Sequence, residues 1–377
     1  MLTGVADLAH RRGVRRGVLY VGVVAALAVP PAARAVAGQA QVTSPPGPGA
    51  AAAPCTPAAL PMLGGGQGNA VAVSANGLVV GYAEDSGGTP QPVLWQSGQA
   101  TRLSTGLVNV SPTGVNSRGE VVGTGVESAS LDVVGWHWSG GKTTLLRAPA
   151  GTVAMPSAIS DTGLIVGAVA SDDDGAANPT SGEAPEQAAT WASMNAPAKI
   201  LPALSGDVGA HAYGVNKNGI AVGNSQASNH FTPVVWDAGG HVSALPGLGG
   251  GFGIARAIDD AGVAVGDAVP ASGDPEAVTW DVGHHPKSHG KAKGHNTQAT
   301  GLVHGRAVGQ TQVRGADGVD RPRAVLWDAA GTDTTLPPLS GDPGAGVNAA
   351  ADSSGVAAGF SSDAHGSRRP MTWTCAS

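Results

Sequence analysis

Short apolar stretches recur along the chain, each closed by Gly, Asn, Asp or Ser. Ala70-Val71-Ala72-Val73 leads into Ser74-Ala75-Asn76-Gly77, then Leu78-Val79-Val80-Gly81 and, after a polar interval, Pro92-Val93-Leu94-Trp95. Runs this short and this rich in β-branched residues predict strands, not helices. The polar tetrads between them predict tight turns, with Asn, Asp or Ser capping and Gly taking a positive φ without steric cost. The same grammar returns at Asn216-Lys217-Asn218-Gly219 before Ile220-Ala221-Val222-Gly223, and at Asp259-Asp260-Ala261-Gly262 after Ala255-Arg256-Ala257-Ile258. A fourth strand is expected after each tryptophan, at positions such as 201–204 and 245–248. Ala or Gly sits five residues before the first glycine in most copies, which would let inner strands crowd around an axis.

Counted out, the grammar has seven copies. Gly77/Gly81, Gly119/Gly123, Gly163/Gly167, Gly219/Gly223, Gly262/Gly266, Gly305/Gly309 and Gly355/Gly359 are followed 13 to 24 residues later by Trp95, Trp138, Trp191, Trp236, Trp280, Trp327 and Trp373. Only 14 of the 377 residues are aromatic, so seven tryptophans at one repeat position express a structural rule; Trp136 alone falls outside the series. A period of 42 to 56 residues belongs to propellers and solenoids. The last copy stops after its tryptophan strand, whereas Cys55-Thr56-Pro57-Ala58-Ala59-Leu60-Pro61-Met62-Leu63 matches the missing fourth strand. The expected fold is therefore all-β, a seven-bladed β-propeller whose N-terminal strand, placed at residues 60–63, completes the C-terminal blade. The two cysteines, Cys55 and Cys375, lie at these two ends and read as a disulfide that staples the ring, with Cα atoms 4.4 to 6.8 Å apart.

Composition adds a location. Arg11, Arg12, Arg15 and Arg16 precede an apolar run over residues 18–29, followed by Ala33-Arg34-Ala35, the layout of a secretory signal over residues 1–35. A dozen apolar residues fall short of a bilayer span. Arg15-Arg16 leaves both the general and the twin-arginine export routes open. Residues 36–54 are rich in Pro, Ala and Gly and read as a linker, leaving residues 55–377 for the propeller. Without the first 35 residues, which hold five arginines and Asp7, there are 16 basic and 26 acidic side chains, a net charge of −10. That sign argues against nucleic acid and other anionic partners. The expectation is a secreted, extracellular monomer with no membrane span.

The repeats resemble the HAF-repeat family of extracellular bacterial proteins over about residues 55 to 377. The Ala-Ile-Asn-x-x-Gly-x-Val-Val-Gly element of that family is matched by Ala257-Ile258-Asp259-Asp260-Ala261-Gly262-Val263-Ala264-Val265-Gly266, and again over residues 158–167. Its His-Ala-Phe-x-Trp element keeps only Ala and Trp here, as in Glu276-Ala277-Val278-Thr279-Trp280. The resemblance implies a secreted repeat protein and supplies no catalytic residues. Trp236-Asp237, Trp280-Asp281 and Trp327-Asp328 echo the WD40 dipeptide, but no Gly-His element recurs ahead of them.

Specific chemistry is to be sought where the repeat is broken. Asp172, Asp173, Asp174, Glu183 and Glu186 make an acidic insertion that could take Ca²⁺, although its ligand spacing does not alternate. His284, His285, His289, His295 and His304 could hold a transition metal, on a Gly- and Lys-rich stretch without a rigid spacing, and would turn cationic below about pH 6.5. No cofactor follows from either, and no nucleophile elbow or zinc-protease motif is present. Asn69, Ser111, His211, Tyr213, Arg256 and Asn348 are expected near the mouth of the ring and form the candidate ligand site. The reading is a non-enzymatic propeller that presents this face to a glycan, a cell-wall polymer or a protein. The alternative is a propeller-type hydrolase or lyase, which would need more converging acids and histidines than the Ala- and Val-rich inner strands offer.

Overall fold

A computed structural model describes residues 55–172, 185–290, 294–328 and 330–377; the proposed signal and linker, and Asp173, Asp174 and Glu183, lie outside them. Among the described residues there are 28 strands and no helix. They form five four-stranded sheets and one of eight, the latter being two four-stranded blades joined by one parallel pairing of Phe231 with Phe252. The first strand of each blade lies beside the first strands of both flanking blades, and the last of these lies beside the first. The chain is thus a β-propeller closed into a ring.

The terminal fragments close it as the pattern requires, with the donated strand at the start of the matching segment and not at residues 60–63. Cys55–Ala59 pairs antiparallel with Arg368–Cys375, in register from Cys55 opposite Cys375 to Ala59 opposite Met371. Residues 60–63 follow as a connection, tied at its start by the Leu60 N–H donating to the Pro370 carbonyl at 2.9 Å. The other blades correct the expectation in the same way. Fourth strands are Gln99–Arg102, Lys142–Leu145, Lys199–Ile200, Val242–Ala244, Pro286–Ser288 and Asp333–Thr335, and the Leu-Pro segments begin only after them. Proline has no N–H to continue a ladder, so in three blades the strand ends at the leucine before it, which turns inward: Leu201, Leu245 and Leu336 are all buried, as is Leu103 ahead of Ser104. The disulfide joins Cys55 to Cys375, which face each other directly across adjacent strands, with Cα atoms 3.9 Å apart, closer than the expected range. Closing so long a loop stabilises by on the order of 5 kcal/mol in the chain-entropy model.

Tryptophans and glycines have separate duties. Trp95, Trp191, Trp236, Trp280 and Trp373 are buried, and each indole N–H donates at 2.7–2.8 Å to a carbonyl in the connection entering its blade, those of Pro61, Arg147, Pro202, Pro246 and Pro337. The indole therefore ties sheet to sheet with both its area and its polar tip. In the second blade the duty is displaced: Trp138 holds the series position opposite Val121, but Trp136, two residues earlier on the same face, fills the core over Gly123. Of each glycine pair, the first takes the positive φ of the turn, 83° at Gly77. The second faces a β-bulge in the inner strand. A Cβ at Gly223 would lie 1.9 Å from the His211 carbonyl, and the corresponding glycine of every blade is equally crowded. Inner strands also crowd sideways, a Cβ on Gly114 falling 3.0 Å from the Ala158 Cα.

Candidate functional site

The bulge opposite the second glycine leaves one inner-strand residue per blade out of register: Val71, Thr113, Ser157, Tyr213, Arg256, Thr300 and Asn348. An unpaired residue on the innermost strand is free to serve the inter-blade seam or the mouth of the ring. Three of them serve the seam alike. Thr113 Oγ1 donates to the Pro156 carbonyl at 2.8 Å, Thr300 Oγ1 to that of Val347 at 3.0 Å, and Asn348 Nδ2 to that of Ala70 at 2.8 Å. Each thereby grips the main chain of the next blade.

Blades three to five depart from this pattern. The half-buried Ser157 shares a 2.7 Å hydrogen bond with Nε2 of His211, and Nδ1 of His211 lies 2.7 Å from Oε2 of Glu186. The His211 ring stacks on Tyr213 with centroids 4.3 Å apart and planes 13° from parallel. In the next blade Arg256 Nε donates to Oδ1 of the buried Asp267 at 2.5 Å. Local sequence builds each part. Asp267 directly follows Gly266 and stands opposite Ile254, two residues before the bulge. Glu186 is held beside His211 because the Ala210 N–H donates to its carbonyl at 3.0 Å.

These groups set one another's charge. Burial pushes the Glu186 carboxyl up, but the charge and hydrogen bond of His211 outweigh it, so the carboxyl stays below its ordinary range. Burial, with Glu186 and Asp267 nearby, pushes the Tyr213 hydroxyl well above its usual range despite Arg256, so it remains a proton donor. Burial works against the Arg256 cation, and Asp267 more than offsets it. A groove of about 340 Å³ between blades four and five is lined by His230, Phe231, Pro233, Leu248 and Phe252. Two of the three phenylalanines of the chain meet there edge to face, 5.3 Å between centroids.

The six residues expected at the mouth fall into two groups and a remainder. His211, Tyr213 and Arg256 join the cluster just described. Asn69 and Asn348 meet at the closing seam, where Asn348 Nδ2 donates to Asn69 Oδ1 at 2.7 Å. Ser111 faces Thr124 within its own blade. Sequence reasoning missed Ser157, Asp267 and the site role of Glu186. A signal existed for Asp267: the residue after the second glycine is also polar at Thr124, Asn224 and Gln310. The buried oxygens Asn224 Oδ1 and Gln310 Oε1 have no hydrogen-bond partner.

The histidines of the fifth blade go separate ways. His285 bonds Asp281, His289 bonds Thr279 at 2.7 Å and packs on Trp327, and His295 lies 3.6 Å from Asp320. His289 takes the place that leucine holds in other blades, its N–H donating to the Ala277 carbonyl as Leu245 donates to Pro233. Burial, helped by Lys287, lowers it to about 4, so it stays neutral where the sequence suggested a cationic tract. Among the described residues no three His, Cys, Asp or Glu side chains converge on a point that could hold a metal. No described helix is long and apolar enough to cross a membrane.

No protein-family model matches the chain, and no curated protein matches it. Among solved structures it is similar to virginiamycin B lyase from Staphylococcus aureus, at 12% identity over 85% of this chain and all of that one, with a TM-score of 0.51. It is also similar to oligogalacturonate lyase from Vibrio parahaemolyticus, at 9% identity over 85% of this chain and 90% of that one, with a TM-score of 0.48. At such identities the first likeness shows the propeller fold alone.

Proposed function

We propose that this is a secreted propeller that binds an extracellular glycan at the mouth formed by blades three to five. The observation that carries the reading is the Arg256–Asp267 pair beside the stacked His211 and Tyr213. Taking two charges out of water costs several kcal/mol before their attraction is counted, and no other blade places a charged residue at the corresponding bulge, where Val71, Thr113, Ser157, Tyr213, Thr300 and Asn348 stand. The repeat does not need this pair, which supports a role outside folding. The cluster offers hydroxyl, guanidinium and imidazole donors alongside carboxylate acceptors, the mixture that satisfies sugar hydroxyls. Phe231 and Phe252, in the groove between blades four and five, offer apolar faces for a sugar ring. The acidic balance of the chain favours a neutral or cationic glycan over a polyanion.

Export through the proposed signal over residues 1–35 agrees with the disulfide, since such bonds persist in oxidising compartments. Membership in the HAF-repeat family, on the motifs quoted above, belongs to the same proposal. The test is a glycan panel that includes cell-wall polymers, read with the wild-type protein and with a His211→Ala/Arg256→Ala double variant. Binding by the wild type and its loss in a folded double variant is the expected outcome. Undiminished binding in the double variant removes the assignment.

A further inference from the structure

The bulge residue of the third blade breaks the seam rule in an informative way. Thr113, Thr300 and Asn348 all reach a main-chain carbonyl of the following blade. Ser157 instead engages a side chain, Nε2 of His211. An ionised Glu186 can only accept, so the Nδ1 position carries the proton and Nε2 is left with the lone pair that receives the Ser157 hydroxyl. The result is a hydroxyl, a base and an orienting carboxylate in series, at 2.7 Å and 2.7 Å. This is the geometry by which a weak serine nucleophile is activated, on whatever fold it occurs.

We propose that Ser157, His211 and Glu186 form an acyl-transfer centre acting on carboxylic esters, with O-acyl groups on a glycan held at the same mouth as its substrate class. The last clause rests on the glycan-binding reading; the centre itself does not. Ser157 Oγ adds to the ester carbonyl carbon while its proton passes to His211 Nε2. The bond to the alcohol oxygen then breaks, that oxygen taking the proton back from Nε2, and the acyl group remains on Ser157. Water repeats the sequence: its proton goes to Nε2, its oxygen bonds to the acyl carbon, and Ser157 leaves with the proton. The products are an alcohol and a carboxylic acid, and Glu186 stays ionised throughout. The Tyr213 ring stacks on the imidazole, 4.3 Å between centroids, and backs the base, while its own hydroxyl stays protonated.

Labelling with a fluorophosphonate, followed by peptide mass spectrometry, tests the centre on the wild-type chain without any variant. One adduct at Ser157 is expected. Its rate of formation should fall about 100-fold or more in His211→Gln, as for loss of a general base, and by a smaller factor in Glu186→Gln. An unlabelled Ser157 in wild-type protein, or equal labelling in a folded His211→Gln variant, overturns the proposal. Glycan binding without a Ser157 adduct refutes acyl transfer alone, whereas an adduct without glycan binding refutes the substrate class and leaves the centre standing.

Discussion

One backbone feature, the inner-strand bulge, is used in two ways around the ring. In blades two, six and seven its residue is a latch: Thr113, Thr300 and Asn348 each hold a carbonyl of the next blade. In blades three to five it is Ser157, Tyr213 and Arg256, and the partners become side chains: an imidazole hydrogen-bonded to Ser157 and stacked on Tyr213, and a buried carboxylate under Arg256. The backbone geometry is common to both sets, because in each blade a carbonyl presses on the second glycine. The difference lies only in what the unpaired residue carries. A repeat can thus keep its frame while one sector acquires converging polar chemistry, and stability and function should separate between the two sectors.

The largest separation should follow from Asp267→Ala, which leaves the half-buried Arg256 as an uncompensated cation. A loss on the order of 3 kcal/mol is expected, measurable by denaturant unfolding with the linear slope unchanged. Next comes a frame position that has drifted. His289 occupies a leucine site and is lowered to about 4 from an ordinary 6.5. As pH falls through 6.5 the unfolded chain therefore takes up a proton that the fold refuses, so stability is full above about pH 6.5 and declines towards pH 4. His289→Leu should flatten that decline in thermal melts between pH 4 and 7. It should also raise stability at the acidic end, even though Thr279 loses its partner.

Smaller effects distinguish latch from site. Thr113→Val and Thr300→Val each remove one inter-blade hydrogen bond, and about 1 kcal/mol apiece is expected, with glycan affinity changed less than twofold. Glu186 is held below its ordinary range by His211, so its contribution is present at neutral pH and is lost as pH falls through its folded value. Glu186→Gln should remove that part of the acid sensitivity. The smallest stability effect should be that of Ser157→Ala, under about 0.5 kcal/mol, since His211 keeps its carboxylate and the serine grips no main chain. A loss as large as that of Thr300→Val would make Ser157 another latch.

The frame was legible because its rules are local and repeated. A turn that needs a positive φ, a carbonyl that tolerates no Cβ and a pocket shaped for an indole each constrain one residue type, seven times over. Boundaries were less legible. The segment at residues 245–248 looks like a strand by composition, yet Leu245 turns inward and Pro246 contributes a carbonyl to Trp280 instead of a ladder bond. Trp136 was set aside because it broke the spacing, although it lies on the same strand face as Trp138 and reaches the core first. His211, Tyr213 and Arg256 were readable as departures from the pattern. Glu186 was not: it follows a long insertion, and only the fold brings its carboxylate to the imidazole. Ser157 is as ordinary as any serine until the strand beside it supplies His211.

The separation of latch from site is tested most directly by titrating a panel-identified glycan into two double variants by calorimetry. For His211→Ala/Arg256→Ala the affinity should fall about 100-fold or more, equivalent to about 2.7 kcal/mol. For Thr113→Val/Thr300→Val it should stay within about twofold while the melting temperature drops. Equal losses of affinity in the two variants would contradict the account, because the mouth of blades three to five would then be no more a binding site than the seams around it.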